Sequence, residues 1–116
     1  MKGTHLGEFE ELVLLSTAVL DGNAYTVTIV NEIKEKSARQ LTLSAIHTVL
    51  VRLEKKGYLL SYMGGATAER GGRRRRLYKI TAQGYQQLND VRELRSKMWA
   101  GMPRLSFDFS SFQLKF

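Results

Sequence analysis

Residues 42–59, TLSAIHTVLVRLEKKGYL, and residues 70–82, RGGRRRRLYKITA, determine how this chain folds. Thr42 suits a helix N-cap, because its hydroxyl can accept from a backbone N–H in the next turn, and Gly57 suits a left-handed stop. The residues between them predict a helix running to Lys56. At roughly 100° per residue, Leu43, Ile46, Val49, Leu50 and Leu53 gather on one side of it. Ser44, Thr48, Arg52 and Lys55 lie opposite, with Val51 beside them and His47 at the margin. Tyr58 to Met63 then has the period of two expected of a strand, Gly64-Gly65-Ala66-Thr67-Ala68 is a loop, and Leu77 to Thr81 returns as a second strand. Helix, strand, basic loop tip and strand in this order form the pattern of a winged helix-turn-helix.

The same stretch concentrates the charge. The 116-residue chain has a formal net charge of +7, and Arg70, Arg73, Arg74, Arg75, Arg76 and Lys79 are opposed within residues 69–79 only by Glu69. A surplus focused in one loop points to a polyanion. Gly71 and Gly72 let the backbone come close to a phosphate, and arginine forks match phosphate oxygens in pairs. Alternation places Arg73 and Arg75 on one face and Arg74 and Arg76 on the other. On the helix, the small hydroxyls of Ser44 and Thr48 can approach base edges, Arg52 and Lys55 can reach phosphates, and Val51 can meet a thymine methyl. A solvated basic loop and an ordinary amphipathic surface helix are the plainer alternatives. The tip is not a P-loop, since the Gly-Lys-Ser/Thr ending is missing.

Upstream, a first helix is expected from Glu8 to Leu20, with Phe9, Leu12, Val13, Ser16, Val19 and Leu20 on one stripe and Leu14, Leu15 and Ala18 on another apolar face. Two apolar faces need two covers: the domain's own core, and a long helix from the C-terminus or from a partner chain. Asp21-Gly22-Asn23 ends the helix as a turn. A second helix should run from Thr26 to Lys36, with Ile29, Val30 and Ile33 inward, Glu32 paired outward to Lys36, and Tyr25 packed at its start. Gln40 and Leu41 are candidates for a short third strand of the wing.

Downstream, a long helix should run from Thr81 to Trp99 or Ala100. Tyr85, Leu88, Val91, Leu94 (or Arg95) and Met98 recur near the coiled-coil period, while Asn89, Asp90, Arg92, Glu93 and Ser96 fill the other side. The stripe has to pack on the first helix, on a symmetry mate, or on both, and dimerisation is the preferred account. Pro103 ends the helical pattern. The tail, LSFDFSSFQLKF, alternates Phe107, Phe109, Phe112, Leu114 and Phe116. It reads either as an extended segment docked on a dimer surface or another protein, or as a disordered terminus.

Composition sets the outer bounds. With 43% hydrophobic residues the chain is expected to hold one core, small enough that burial against a partner matters. Cysteine is absent, which removes disulfides and thiolate metal sites. No stretch reaches the roughly 18 apolar residues of a membrane span, and a soluble, cytoplasmic protein is expected. His5 and His47 stand without a positioned carboxylate pair, nucleophile or metal-ligand spacing, so neither catalysis, metal nor cofactor is expected. His47 could tune DNA affinity with pH, but its marginal position favours a neutral, hydrogen-bonding role.

LGEFEELVLLSTAVL, LTLSAIHTVLVRLEKKGYL and GGRRRRLYKITAQG together resemble the PadR family of bacterial winged helix-turn-helix transcriptional regulators, in the short form with a single C-terminal helix. The motifs are specific in combination: Leu50, Arg52-Leu53-Glu54 and Gly57, then the glycine-arginine wing, then Thr81-Ala82-Gln83-Gly84. The resemblance implies a homodimer on palindromic promoter DNA, usually a repressor, with release by a small apolar or phenolic compound in some members. It further implies an aromatic residue of the C-terminal helix beside a cavity at the dimer interface, a place to which Trp99 corresponds. Two positions depart from the pattern: Tyr25-Thr26-Val27 stands where Tyr-Gly-Tyr is common, and His47 stands where a tyrosine is common.

The expected protein is therefore α+β and mostly helical: a winged helix-turn-helix of three helices and a two- to three-stranded wing over residues 1–81, a dimerisation helix over 82–100, and an aromatic-rich tail over 101–116. DNA contacts are expected from Tyr25, Thr26, Thr42, Ser44, His47, Thr48, Arg52, Lys55, Arg70, Arg73, Arg74, Arg75 and Arg76. Dimer contacts are expected from Phe9, Leu12, Val13, Leu88, Val91, Leu94, Met98 and Trp99, and a small apolar or aromatic effector would meet Trp99. The rival reading is a protein-interaction adaptor of the same fold, which would bind no specific duplex.

Overall fold

The computed structural model describes residues 6–64 and 75–104. Within them the chain forms α1 (Glu8–Val19), α2 (Thr26–Ser37), α3 (Leu43–Lys55), β1 (Leu59–Gly64), β2 (Arg75–Ile80) and α4 (Ala82–Ala100). The wing tip, with Arg70, Arg73 and Arg74, and the aromatic tail from Leu105 onward lie outside the described residues.

Each helix begins where its first free N–H groups find acceptors. In α1 the Glu10 carboxylate accepts from the backbone N–H of Gly7 at 2.9 Å, and Glu8, Glu10 and Glu11 set negative charge against the positive end of the helix dipole. In α2 the hydroxyl of Thr28 accepts from the N–H of Tyr25 at 2.9 Å and lies 2.7 Å from the carbonyl of Asn23. Thr42 caps α3, accepting from the N–H of Ala45 at 3.1 Å, and Gly57 follows that helix at a φ of +85°. The end of α2 is less ordinary, because Ala38, not a glycine, takes up a φ of +58° there.

The core is one cluster in which Val13 and Leu14 of α1, Ile29 and Ile33 of α2, and Ile46, Leu50 and Leu53 of α3 meet Tyr58, Leu59 and Tyr78 of the wing. Most of the expected inward faces are inward. Leu43 is not: it stays 51% exposed, because it opens α3 a full turn ahead of Ile46, where residues 42–45 all project from the three-helix core. Glu10, Ser16 and Thr17 are buried in α1 beside the apolar residues; Glu10 accepts from the Gly7 N–H, and the Thr17 hydroxyl donates to the carbonyl of Val13 at 2.9 Å.

β1 and β2 pair antiparallel from Leu59 opposite Ile80 to Gly64 opposite Arg75. Among the described residues the sheet has two strands, and Gln40 and Leu41 belong to neither. The far edge of β2 is met elsewhere: the N–H of Tyr78 donates to the carbonyl of Ala24 at 2.8 Å. The connection between α1 and α2, and not Gln40 and Leu41, therefore meets that edge of the wing. The architecture is α+β and mostly helical, as the sequence led us to expect.

The sequence Thr81-Ala82-Gln83-Gly84 forms a joint. The Thr81 hydroxyl accepts from the N–H of Gly84 at 3.0 Å and donates to the carbonyl of Gly57 at 2.7 Å, while the Thr81 N–H donates to the carbonyl of Tyr58 at 3.0 Å. A Cβ on Gly84 would stand 2.3 Å from that same Tyr58 carbonyl oxygen, so glycine is what lets α4 lie against the base of the wing. Beyond the joint, Gln87 and Leu88 are buried and Val91 is half-buried. From Arg92 to Ala100 every residue is exposed.

Candidate nucleic-acid interface

Thr42, Ser44, His47, Thr48, Arg52 and Lys55 all lie on the exposed side of α3. They are not equally free. The Thr42 oxygen is engaged by Ala45, and the Thr48 hydroxyl donates to the carbonyl of Ser44 at 3.0 Å, a local bond that a serine or threonine often makes within a helix. The Ser44 hydroxyl and the His47 ring have no intrachain partner among the described residues. Val51 is 37% exposed beside them, which places an apolar edge next to the hydroxyls.

Arg52 leans away from this group. Its guanidinium lies 3.6 Å from the Glu10 carboxylate of α1, which also accepts from Lys56 at 3.0 and 3.1 Å. Burial pushes the Glu10 carboxyl upward, but the N–H of Gly7 and the charges of Lys56 and Arg52 outweigh it. The net result is a pKa below the ordinary carboxylate value. Two cations at the C-terminal end of α3 thus share one anion, and Lys55 is the cation there with no ion pair among the described residues.

At the root of the wing, Arg75 and Arg76 leave β2 on opposite faces. The Arg75 guanidinium stacks 4.5 Å above the ring of Tyr25, at the start of α2. Arg76 donates to the Ser61 hydroxyl at 2.9 Å, and Ser61 donates to the Glu54 carboxylate of α3 at 2.8 Å. Both arginines therefore have their guanidinium groups held against the helical part of the domain, Arg75 at the start of α2 and Arg76 through Ser61 to α3. Tyr25 and Thr26 are half-buried where the first turn of α2 meets this root.

Glu10, Glu54 and Ser61 were not among the residues expected here. Glu54 sits in the Arg52-Leu53-Glu54 motif, and Ser61 falls on the inward phase of β1, so a polar residue where an apolar one belongs was the available signal. Glu10 had none, because its partners lie two helices away.

The residues expected at a dimer contact divide. Leu94, Met98 and Trp99 are 60%, 69% and 70% exposed on α4. Phe9, Leu12 and Val91 are half-buried and Leu88 is buried, all packed on the protomer's own core. Val13 is a correction: it is fully enclosed between α1 and the rest of the core and presents nothing to a partner. Leu15, Val19 and Tyr85 extend the exposed apolar surface instead. Between α1 and α4 lies an open groove of about 410 Å³, where Leu15, Ala18, Tyr85, Leu88 and Trp99 supply apolar walls.

Among the described residues no helix is long and apolar enough to cross a membrane, and no cluster of histidine and carboxylate groups could hold a metal ion.

The residue pattern of the transcriptional regulator PadR-like family matches residues 14–90 of the chain. No curated protein matches significantly. Among solved structures, a PadR-like transcription factor from Bacteroides fragilis is similar with a TM-score of 0.66 at 21% identity, over 78% of this chain and 82% of that one. A PadR family transcription regulator from Clostridium difficile is similar with a TM-score of 0.60 at 25% identity, over 81% of this chain and 88% of that one.

Proposed function

The chain belongs to the PadR-like family of transcriptional regulators, and we propose that within that family it is a homodimeric repressor of a pseudo-palindromic operator. A DNA-binding regulator, not an enzyme, is what membership establishes. The further reading rests on one observation: α4 presents Tyr85, Leu94, Met98 and Trp99 to solvent and α1 presents Leu15 and Val19, large apolar side chains that a lone protomer leaves wet.

In this reading α3 enters the major groove. Ser44, His47 and Thr48 meet base edges and Lys55 a phosphate, while Thr42 and Arg52 act mainly within the protein. The wing, through Arg70, Arg73, Arg74, Arg75 and Arg76, together with Tyr25 and Thr26 at the start of α2, grips the backbone and supplies salt-sensitive affinity. Two copies joined through α1 and α4 present two recognition helices about 34 Å apart, one turn of duplex. The groove beside Trp99 takes a small apolar or aromatic effector whose binding releases the operator.

Selection of bound duplexes from a random pool tests this directly. We expect an inverted repeat with a fixed half-site separation. Enrichment of single half-sites without symmetry would remove the dimer from the account, and no enrichment at physiological salt would leave a protein-interaction adaptor.

A further inference from the structure

The first turn of α1 holds two consecutive carboxylates that reach in opposite directions. Glu10 turns inward and accepts from Lys56 at the end of α3, 3.0 Å away. Glu11 turns towards α4, its side chain only 17% exposed, and accepts from the Arg95 guanidinium at 2.9 Å. Arg95 is thereby connected, through one helical turn, to the end of the recognition helix.

The position of this contact along α4 matters. The helix is fixed at its base by Thr81 and Gly84 and by the burial of Gln87 and Leu88. Past Val91 every residue to Ala100 is exposed, and the bond from Arg95 to Glu11 is the outermost polar contact between α4 and the rest of the protomer among the described residues. It stands about 16 Å beyond Gly84, at the rise of roughly 1.5 Å per residue of an α-helix. A rod held at its base takes its direction from the next point of support. Any change of angle at the joint is magnified at Leu94, Met98 and Trp99.

We propose that Glu11 and Arg95 are positioning residues that set the angle of α4 against the recognition helix, and through it the half-site spacing the dimer accepts. The inference rests on the homodimer reading given above. It assigns specificity to two side chains that touch no base. Exposed ion pairs are weak, so the effect is a narrowing of preference and not a requirement for binding.

The test uses the full-length chain and a set of duplexes in which two copies of the selected half-site are moved apart one base pair at a time. The wild type is expected to favour one spacing. Glu11→Gln and Arg95→Gln should each reduce that preference by about twofold to fivefold, the range an exposed pair supplies. Affinity for a single half-site should stay at the wild-type value, and the thermal midpoint should fall by no more than the loss of one charge at a helix terminus and one weak ion pair explains. The double variant Glu11→Arg/Arg95→Glu should recover the preference, which a general loss of packing would not do. Variants that keep the wild-type spacing profile, or a charge swap that fails to restore it, overturn the proposal. A wild type that binds as a monomer with no spacing preference overturns the dimer reading, and this inference with it.

Discussion

Gly84 carries α4. Its backbone lies so close to the Tyr58 carbonyl that a methyl group would overlap the oxygen at 2.3 Å, and neither partner can move without shifting the end of α3 or the start of β1. Gly84→Ala is therefore expected to destabilise the fold by about 1–3 kcal/mol, despite the better helix propensity of alanine, as a thermal or urea melt would show. Glu10 is a second residue of this kind. Because its carboxyl is held below the ordinary value of 4.5, the ionised form is favoured in the folded state. Its contribution to stability is then complete above the unfolded pKa and is lost as pH falls through the folded one. Glu10→Gln should cost about 1–3 kcal/mol near pH 7, where a hydrogen-bonded charge is removed, and the gap to wild type should close as the pH falls below the ordinary value and through the lowered folded one. A gap independent of pH would mean that Lys56 and Arg52 contribute nothing through charge.

At the scale of elements, the wing and α3 divide the labour of binding. Replacing Arg73 to Arg76 with alanine should weaken binding to every duplex alike and flatten the dependence of affinity on salt, by about one unit of log–log slope for each phosphate no longer neutralised. Binding titrations at several salt concentrations on specific and random duplexes read this out, and an unchanged slope would remove the wing from the interface. The elements themselves were legible in the sequence, because Thr42, Gly57 and Thr81 mark their ends by local chemistry that needs no knowledge of the rest of the chain. Contacts between distant elements were not. Gln40 and Leu41 were expected to add a third strand to the wing and do not, and the bond from the Tyr78 N–H to Ala24 was not foreseen, since a backbone carbonyl carries no side-chain signal. Leu43 and Val13 were assigned to faces by angle alone, and angle does not say where along its axis a helix is covered. The link from Arg76 through Ser61 to Glu54 left only the polar Ser61 on the inward phase of β1 as its trace, as it joins three elements that only the fold brings together.

The molecule as a whole exposes two kinds of surface. The basic wing and the hydroxyl-bearing face of α3 suit a charged, hydrated partner; the large side chains of α1 and α4 suit a dry one. One hydrogen bond bears on how the protomer comes apart. The Tyr78 amide, donated to Ala24 at 2.8 Å, closes a loop of chain containing α2, α3 and β1, and both residues are buried. It cannot open unless the wing leaves the helices. In deuterium exchange the Tyr78 amide should therefore be replaced only through global unfolding, while the amides in the last turns of α4 exchange through local fraying in a lone protomer and slow where a second copy covers them. That single amide would serve as a clock for the cooperativity of the domain, and its slowing on addition of operator DNA would measure binding energy without a label.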